Sequence, residues 1–254
     1  MPQAVLEAPA ALPGPSSLGV QGGWRLLRAM AATAQAMTAL ALGGPPGEAV
    51  SAWSRRVLAA LRIQVRVEGD LPGTAPLWTA NHLSWLDPLV LLSLRPMGVL
   101  AKQEVSRYPF LGPAAVRAGL RFVGREDPLS RAVALVGLSQ DLRRGRDLLI
   151  FPEGTTTRGQ HLARVHPGGL LAAHRLGLRT LPLRLDCPSA SYPWIGDEAL
   201  LPHLRDVAAS GAMTVTVTPG PALDPAALPD PFEWLETLRR HLAPRQTPMP
   251  EPPI

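Results

Sequence analysis

Three short polar clusters hold the residue types that acid–base chemistry on a hydroxyl requires. The first is Asn81-His82-Leu83-Ser84-Trp85-Leu86-Asp87, where four residues separate a histidine from an aspartate. A carboxylate on one imidazole nitrogen fixes the tautomer and leaves the other nitrogen to take a proton. Such a pair is two thirds of a Ser-His-Asp arrangement, with the nucleophile supplied by a substrate hydroxyl. In one continuous helix the two side chains would lie about 140° apart, so a turn must precede Asp87 for them to meet. The second cluster is Gly119-Leu120-Arg121-Phe122-Val123-Gly124-Arg125. Its glycines admit close backbone approach to a ligand, and Arg125 presents a planar fork suited to phosphate. The third, Phe151-Pro152-Glu153-Gly154-Thr155-Thr156-Thr157-Arg158-Gly159, carries a carboxylate, hydroxyls and amides on a turn. That turn can hold a polyol or phosphate, with Glu153 either ordering the loop or bonding a hydroxyl.

The elements that must position these clusters follow from pattern. Ile63, Val65 and Val67 alternate with polar residues and predict a strand. Further strands are expected at Leu77–Ala80, Gly98–Lys102, Arg121–Val123, Asp147–Phe151, Thr180–Leu185 and Met213–Thr218. Helices are expected at Leu89–Leu94, Pro113–Ala118, Pro128–Arg143, Gly169–Leu176 and Phe232–Leu242, with Asp-Pro pairs opening several. Asp87 is read as the cap of the first of these. Each cluster then lies at a strand end, where open α/β sheets place ligands. The fold class is α/β: a layered domain with a mixed, largely parallel sheet flanked by helices.

The organisation expected for the 254 residues is a disordered segment over 1–22, an amphipathic two-helix hairpin over 23–61, the α/β domain over 62–243, and a disordered Pro-rich tail over 244–254. In the first hairpin helix Leu26, Met30, Thr33, Met37 and Leu40 share a face; in the second Val50, Trp53, Val57 and Leu61 do. The uncharged run before Gly43 is too short to cross a bilayer, which takes roughly 20 apolar residues. No charged region precedes an apolar stretch, so no secretory signal is read. Net charge is +5, and Lys102 is the only lysine among 25 basic residues. That balance points to an anionic partner, such as a phospholipid surface. The arginines are dispersed and aromatics are 5%, which argues against nucleic acid. A single cysteine, Cys187, excludes an intramolecular disulfide and any multi-thiolate metal site.

Together the clusters resemble the glycerolipid acyltransferase family, of lysophosphatidic acid acyltransferase type. NHLSWLD resembles its His-x4-Asp block, GLRFVGR its Gly-x-x-Phe-x-x-Arg block, FPEGT its third block and Leu181-Pro182-Leu183 its fourth. Lys102, Glu104, Pro109 and Gly112 lie between the first two blocks at the family's spacing. The resemblance implies that His82 acts as general base, oriented by Asp87, on a lysolipid hydroxyl that attacks acyl-CoA or acyl carrier protein. It implies an acceptor site drawn from Arg125, Glu153, Gly154, Thr155, Arg158, Gly119, Phe122 and Lys102. It also implies no metal or cofactor, a docking hairpin, and a place at the cytoplasmic face of the inner membrane. The expected product is phosphatidic acid. One departure favours a second acceptor: Thr156 stands where the family carries a phosphate-linked arginine, as in lyso-ornithine lipid acyltransferases. The rival classes are a non-catalytic lipid binder and a hydrolase, the latter acting on a thioester or through a metal held by His161, His166 and His174 together with His82 and Asp87. No Gly-x-Ser-x-Gly elbow supports a serine hydrolase.

Overall fold

The computed structural model describes residues 18–72, 75–103, 106, 120–124, 127–196 and 198–244. The expected helix at Pro113–Ala118 lies outside them, as do Gly119 and Arg125, Glu104, Pro109 and Gly112, and most of both terminal segments.

Among the described residues the strands are β1 Ile63–Val67, β2 Leu77–Ala80, β3 Gly98–Lys102, β4 Arg121–Val123, β5 Leu148–Ile150, β6 Thr180–Asp186 and β7 Met213–Pro219. They form one sheet in the order β1-β7-β6-β2-β5-β3-β4. Only β6–β7 pairs antiparallel; every other neighbouring pair is parallel. The central β2 reads Leu-Trp-Thr-Ala and is buried throughout, as a strand covered on both faces must be. Because β7 reverses against β6 and β1 follows β7, β1 runs opposite to β2. The carboxyl ends of β2, β3, β4, β5 and β6 therefore share an edge with the amino ends of β1 and β7.

The helices are α1 Val20–Ala41, α2 Pro46–Ala60, α3 Asp87–Leu94, α4 Pro128–Arg143, α5 Gly168–Arg175, α6 Leu200–Ala209 and α7 Pro231–Leu242. Alternation along β5 shows how they divide. Leu149 joins one core cluster with Leu58, Val90 and Val207, whereas Leu148 and Ile150 join another with Leu138, Leu170 and Trp234. Successive strand residues point to opposite faces, so α2, α3 and α6 cover one face and α4, α5 and α7 the other. Asp127 and Asp230 cap α4 and α7 by accepting the amides of Leu129 and Phe232, each at 2.9 Å. Asp141 of α4 accepts from Arg121 of β4, and that guanidinium holds its carboxyl below the usual carboxylate range.

One expectation is corrected. Asp87 is the first residue of α3 and not its cap; Leu86 holds that position, and the Asp87 carboxylate turns back over the preceding loop. In α1 the inward face is built from Gly22, Ala29 and Ala32, while Met30 is 67% exposed. Small residues let α2 approach closely, and Thr33 Oγ1 accepts from Trp53 Nε1 of α2 at 3.0 Å. The helix α6 was not read from sequence at all.

Leu238 of α7 is fully buried in the second cluster. Leu238→Ala is expected to lower unfolding free energy by about 2–5 kcal/mol, measured by urea titration.

Candidate active site

His82 follows β2 after Asn81, and Asn81 anchors that exit. Its amide donates to the Leu185 carbonyl at 3.0 Å and accepts the Leu185 N–H at 2.7 Å, tying β2 to β6. His82 Nδ1 lies 2.8 Å from Asp87 Oδ2. The hydrogen belongs on Nδ1, because the carboxylate only accepts, and Nε2 is left as the proton-accepting nitrogen. The imidazole stacks on Phe151, with ring centroids 4.1 Å apart and planes 20° apart. The His82 side chain is 12% exposed and that of Asp87 is 0% exposed.

Burial of a carboxylate demands donors, and Asp87 has them. Oδ2 also accepts the amides of Leu83 at 2.6 Å and Ser84 at 2.9 Å. Oδ1 accepts the Tyr192 hydroxyl at 2.7 Å. Tyr192 is fully buried, and burial together with the Asp87 charge pushes its phenol well above 10, so it stays a donor. Sequence reading missed Tyr192; its contact spans 105 positions, and no local pattern marks it.

The third cluster braces the first. Glu153 Oε1 accepts the His82 amide at 2.8 Å, and Oε2 accepts the Ala163 amide at 2.7 Å. Desolvation raises the Glu153 pKa, and these amides pull against it. Of the two roles open to Glu153, the geometry displays the ordering of the loop. The Thr157 amide donates to the His82 carbonyl at 2.8 Å. Thr156 Oγ1 donates to the Trp194 carbonyl, and the Trp194 amide donates to Leu83 O at 2.9 Å. Gly159 adopts φ +76°, and a β-carbon there would meet Leu83 Cδ2 at 2.9 Å. Thr155 and Arg158 are exposed, and Arg158 forms no ion pair among the described residues. Gly154 packs against the ring of His166.

The remaining candidates sit on the far strands. Phe122 of β4 is half-buried and pairs with Ala101, and Lys102 pairs with Val123 at the carboxyl ends of β3 and β4. They share the sheet edge with His82 but lie beyond β5. The three histidines of the metal reading do not converge: His174 Nε2 bonds Leu228 O at 3.0 Å inside the core, and His161 is exposed. Among the described residues no group of three His, Cys, Asp or Glu side chains is arranged to hold a metal.

The Acyltransferase family profile matches residues 62–186, which include His82, Asp87, Phe151 and Glu153. A lyso-ornithine lipid O-acyltransferase from Pseudomonas aeruginosa is 41% identical over 157 residues, which are 60% of each chain. A 1-acyl-sn-glycerol-3-phosphate acyltransferase from Neisseria meningitidis is 33% identical over 175 residues, which are 65% of each. The chain thus spans 60% and 65% of these curated relatives. The crystal structure of the 1-acyl-sn-glycerophosphate acyltransferase from Thermotoga maritima has the same fold, with a TM-score of 0.56 at 19% identity over 89% of this chain and 88% of that one.

Three backbone amides beside the histidine are already engaged. Those of His82, Leu83 and Ser84 go to carboxylates, which leaves them unsuited to an oxyanion. Cys187, next to β6, is no alternative nucleophile: burial pushes its thiol up to about 11. Iodoacetamide at pH 7.5 is therefore expected to alkylate Cys187 about a hundredfold more slowly than free cysteine, and labelling at the free-thiol rate would contradict the buried placement.

His203 of α6 accepts from Trp85 Nε1 at 2.9 Å and donates to Pro193 O at 3.2 Å, so its neutral form locks two loops of the site. Burial lowers its pKa below 6.5. The unfolded chain takes the proton first, so this contribution is complete above pH 6.5 and falls as pH drops toward the folded value. His203→Gln, whose amide can make both bonds, is expected to flatten that acid fall in urea-melting experiments across pH 7 to 5; parallel curves would exclude the assignment.

Proposed function

We propose that this chain is a lysolipid O-acyltransferase in which His82 is the general base and Asp87 the group that orients it. The observation that carries the reading is the 2.8 Å Nδ1–Oδ2 bond on a buried carboxylate, with Nε2 left to accept a proton. The acceptor hydroxyl loses its proton to Nε2 as its oxygen attacks the thioester carbonyl of acyl-CoA or acyl carrier protein. The tetrahedral intermediate collapses, the thiolate leaves and takes the proton back from the imidazolium, and an ester and a free thiol result. The Asp87 charge stabilises the imidazolium while it exists, and Tyr192 positions Asp87.

Two acceptors are in view. Lysophosphatidic acid is the first that the sequence implies. A lyso-ornithine lipid is favoured by Thr156, whose hydroxyl is held by Trp194 and cannot replace an arginine, and by the 41% identity to a relative of that name. Arg158, Thr155 and Gly154, with Phe122 and Lys102 across the sheet edge and with Arg125 and Gly119 of the second cluster, are proposed to shape the acceptor site. No helix among the described residues is long and apolar enough to cross a membrane. We place the protein peripherally at the cytoplasmic face, with the exposed side of α1 against lipid.

The test is a paired assay with both thioesters and both lysolipids. Product on at least one acceptor is expected, with His82→Ala lowering turnover at least about a hundredfold. Tyr192→Phe is expected to lower kcat about tenfold while leaving KM nearly unchanged. Full turnover in a folded His82→Ala protein would remove the histidine from the mechanism. Ester product on the ornithine lipid alone would assign the acceptor.

A further inference from the structure

The α1 helix and the α2–β1 junction enclose a surface groove of about 460 Å³ lined by Gln21, Trp24, Arg25, Arg28 and Arg62. Among the described residues no carboxylate lines it. Arg25 is fixed in place, donating to the carbonyls of Ala208 and Ser210 at the end of α6. Neither Arg28 nor Arg62 forms an ion pair among the described residues.

Arg62 stands apart in another way. It is the one non-glycine residue with positive φ among the described residues, at 59°. Glycine would occupy that position without strain, so the turn itself does not explain an arginine there. Such an outlier points to a use for the side chain.

Beside the groove, Val20, Trp24 and Leu27 follow one another at helical spacing and are 80%, 61% and 56% exposed. Trp24 belongs to both the groove and this ridge. A cationic hollow joined to an apolar ridge matches an amphiphile with an anionic head.

We infer that this groove binds the phosphate headgroup of an anionic phospholipid in the membrane surface, a site separate from that of the reacting acceptor. The topology gives the site a consequence. Arg62 enters β1 at the same edge of the sheet as His82, three strand spacings away across β7 and β6, about 14 Å sideways and about 16 Å further along the strand direction. A lipid held there fixes the catalytic edge against the bilayer. This inference rests on the membrane reading above.

The experiment is sedimentation of the full chain with vesicles of phosphatidylcholine alone and of phosphatidylcholine mixed with phosphatidylglycerol. The wild-type chain is compared with Arg28→Gln, Arg62→Gly and the double variant. Arg62→Gly keeps the turn, and its melting temperature is expected to equal or exceed the wild-type value. Wild-type protein is expected to prefer the mixed vesicles. Each arginine loss is expected to weaken that binding about fivefold and the pair about thirtyfold, with binding to phosphatidylcholine unchanged. Excess glycerol 3-phosphate is expected not to release the protein. Wild-type binding to both vesicles that ignores the arginines would overturn the groove while leaving membrane docking intact. Failure to bind either vesicle would overturn both readings. Release by glycerol 3-phosphate would overturn the lipid assignment in favour of a soluble phosphate.

Discussion

A buried negative charge organises this protein. Asp87 is wholly removed from solvent, and a carboxylate in that condition is tolerated only when its lone pairs are filled. Two backbone amides, one phenol and one imidazole fill them. The amides force the loop after β2 into a tight turn, the phenol draws in the segment after β6, and the imidazole takes its tautomer from the contact. The carboxylate that fixes the His82 ring therefore also holds together the loops around it. On the function proposed above, activity and fold share one electrostatic requirement at Asp87.

The second layer of the site shows the same economy of donors. Glu153 accepts the amide of the histidine itself, and Thr157 donates to the carbonyl of that residue. The His82 backbone is thus held from both sides by the loop after β5, while Phe151 supports the ring from below. This explains why a carboxylate recurs in a turn that is otherwise hydroxyl-rich: it is the bridge between the ends of two adjacent strands. The amides of His82, Leu83 and Ser84 are all spent on carboxylates in this bridge.

Much of this was legible in the sequence, for definite reasons. The strands emerged because β1 alternates and β2 and β5 are short apolar runs, and the His82–Asp87 spacing stands out with no knowledge of the fold. Asp87 was misread as a cap because Asp-Pro is also the signature of a helix start, and only the turn beneath it reveals where the carboxylate points. Tyr192 was illegible because its partner is distant in sequence and tyrosines are common in cores. The apolar stripe of α1 does not by itself say which side of the helix is buried. Here the small residues Gly22, Ala29 and Ala32 decide the packing, and the large ones remain outside. The region of Arg125 and Gly119 lies outside the described residues, so the sequence stands alone there.

The position of β2 in the sheet has a consequence for the order of events during synthesis. β2 bonds to β5 and β6, and to no earlier strand. The ribosome therefore makes the His82 segment well before any strand that can receive it, and Tyr192 emerges later still. Contacts of such high separation form late. The nascent chain carries the histidine and aspartate unsupported, and their hydrogen-bonded arrangement is complete only when the segment beyond β6 has emerged and closed over the carboxylate. The His82–Asp87 arrangement is therefore completed late in synthesis, and a chain truncated before Tyr192 would carry the motif without the phenol that fills Asp87.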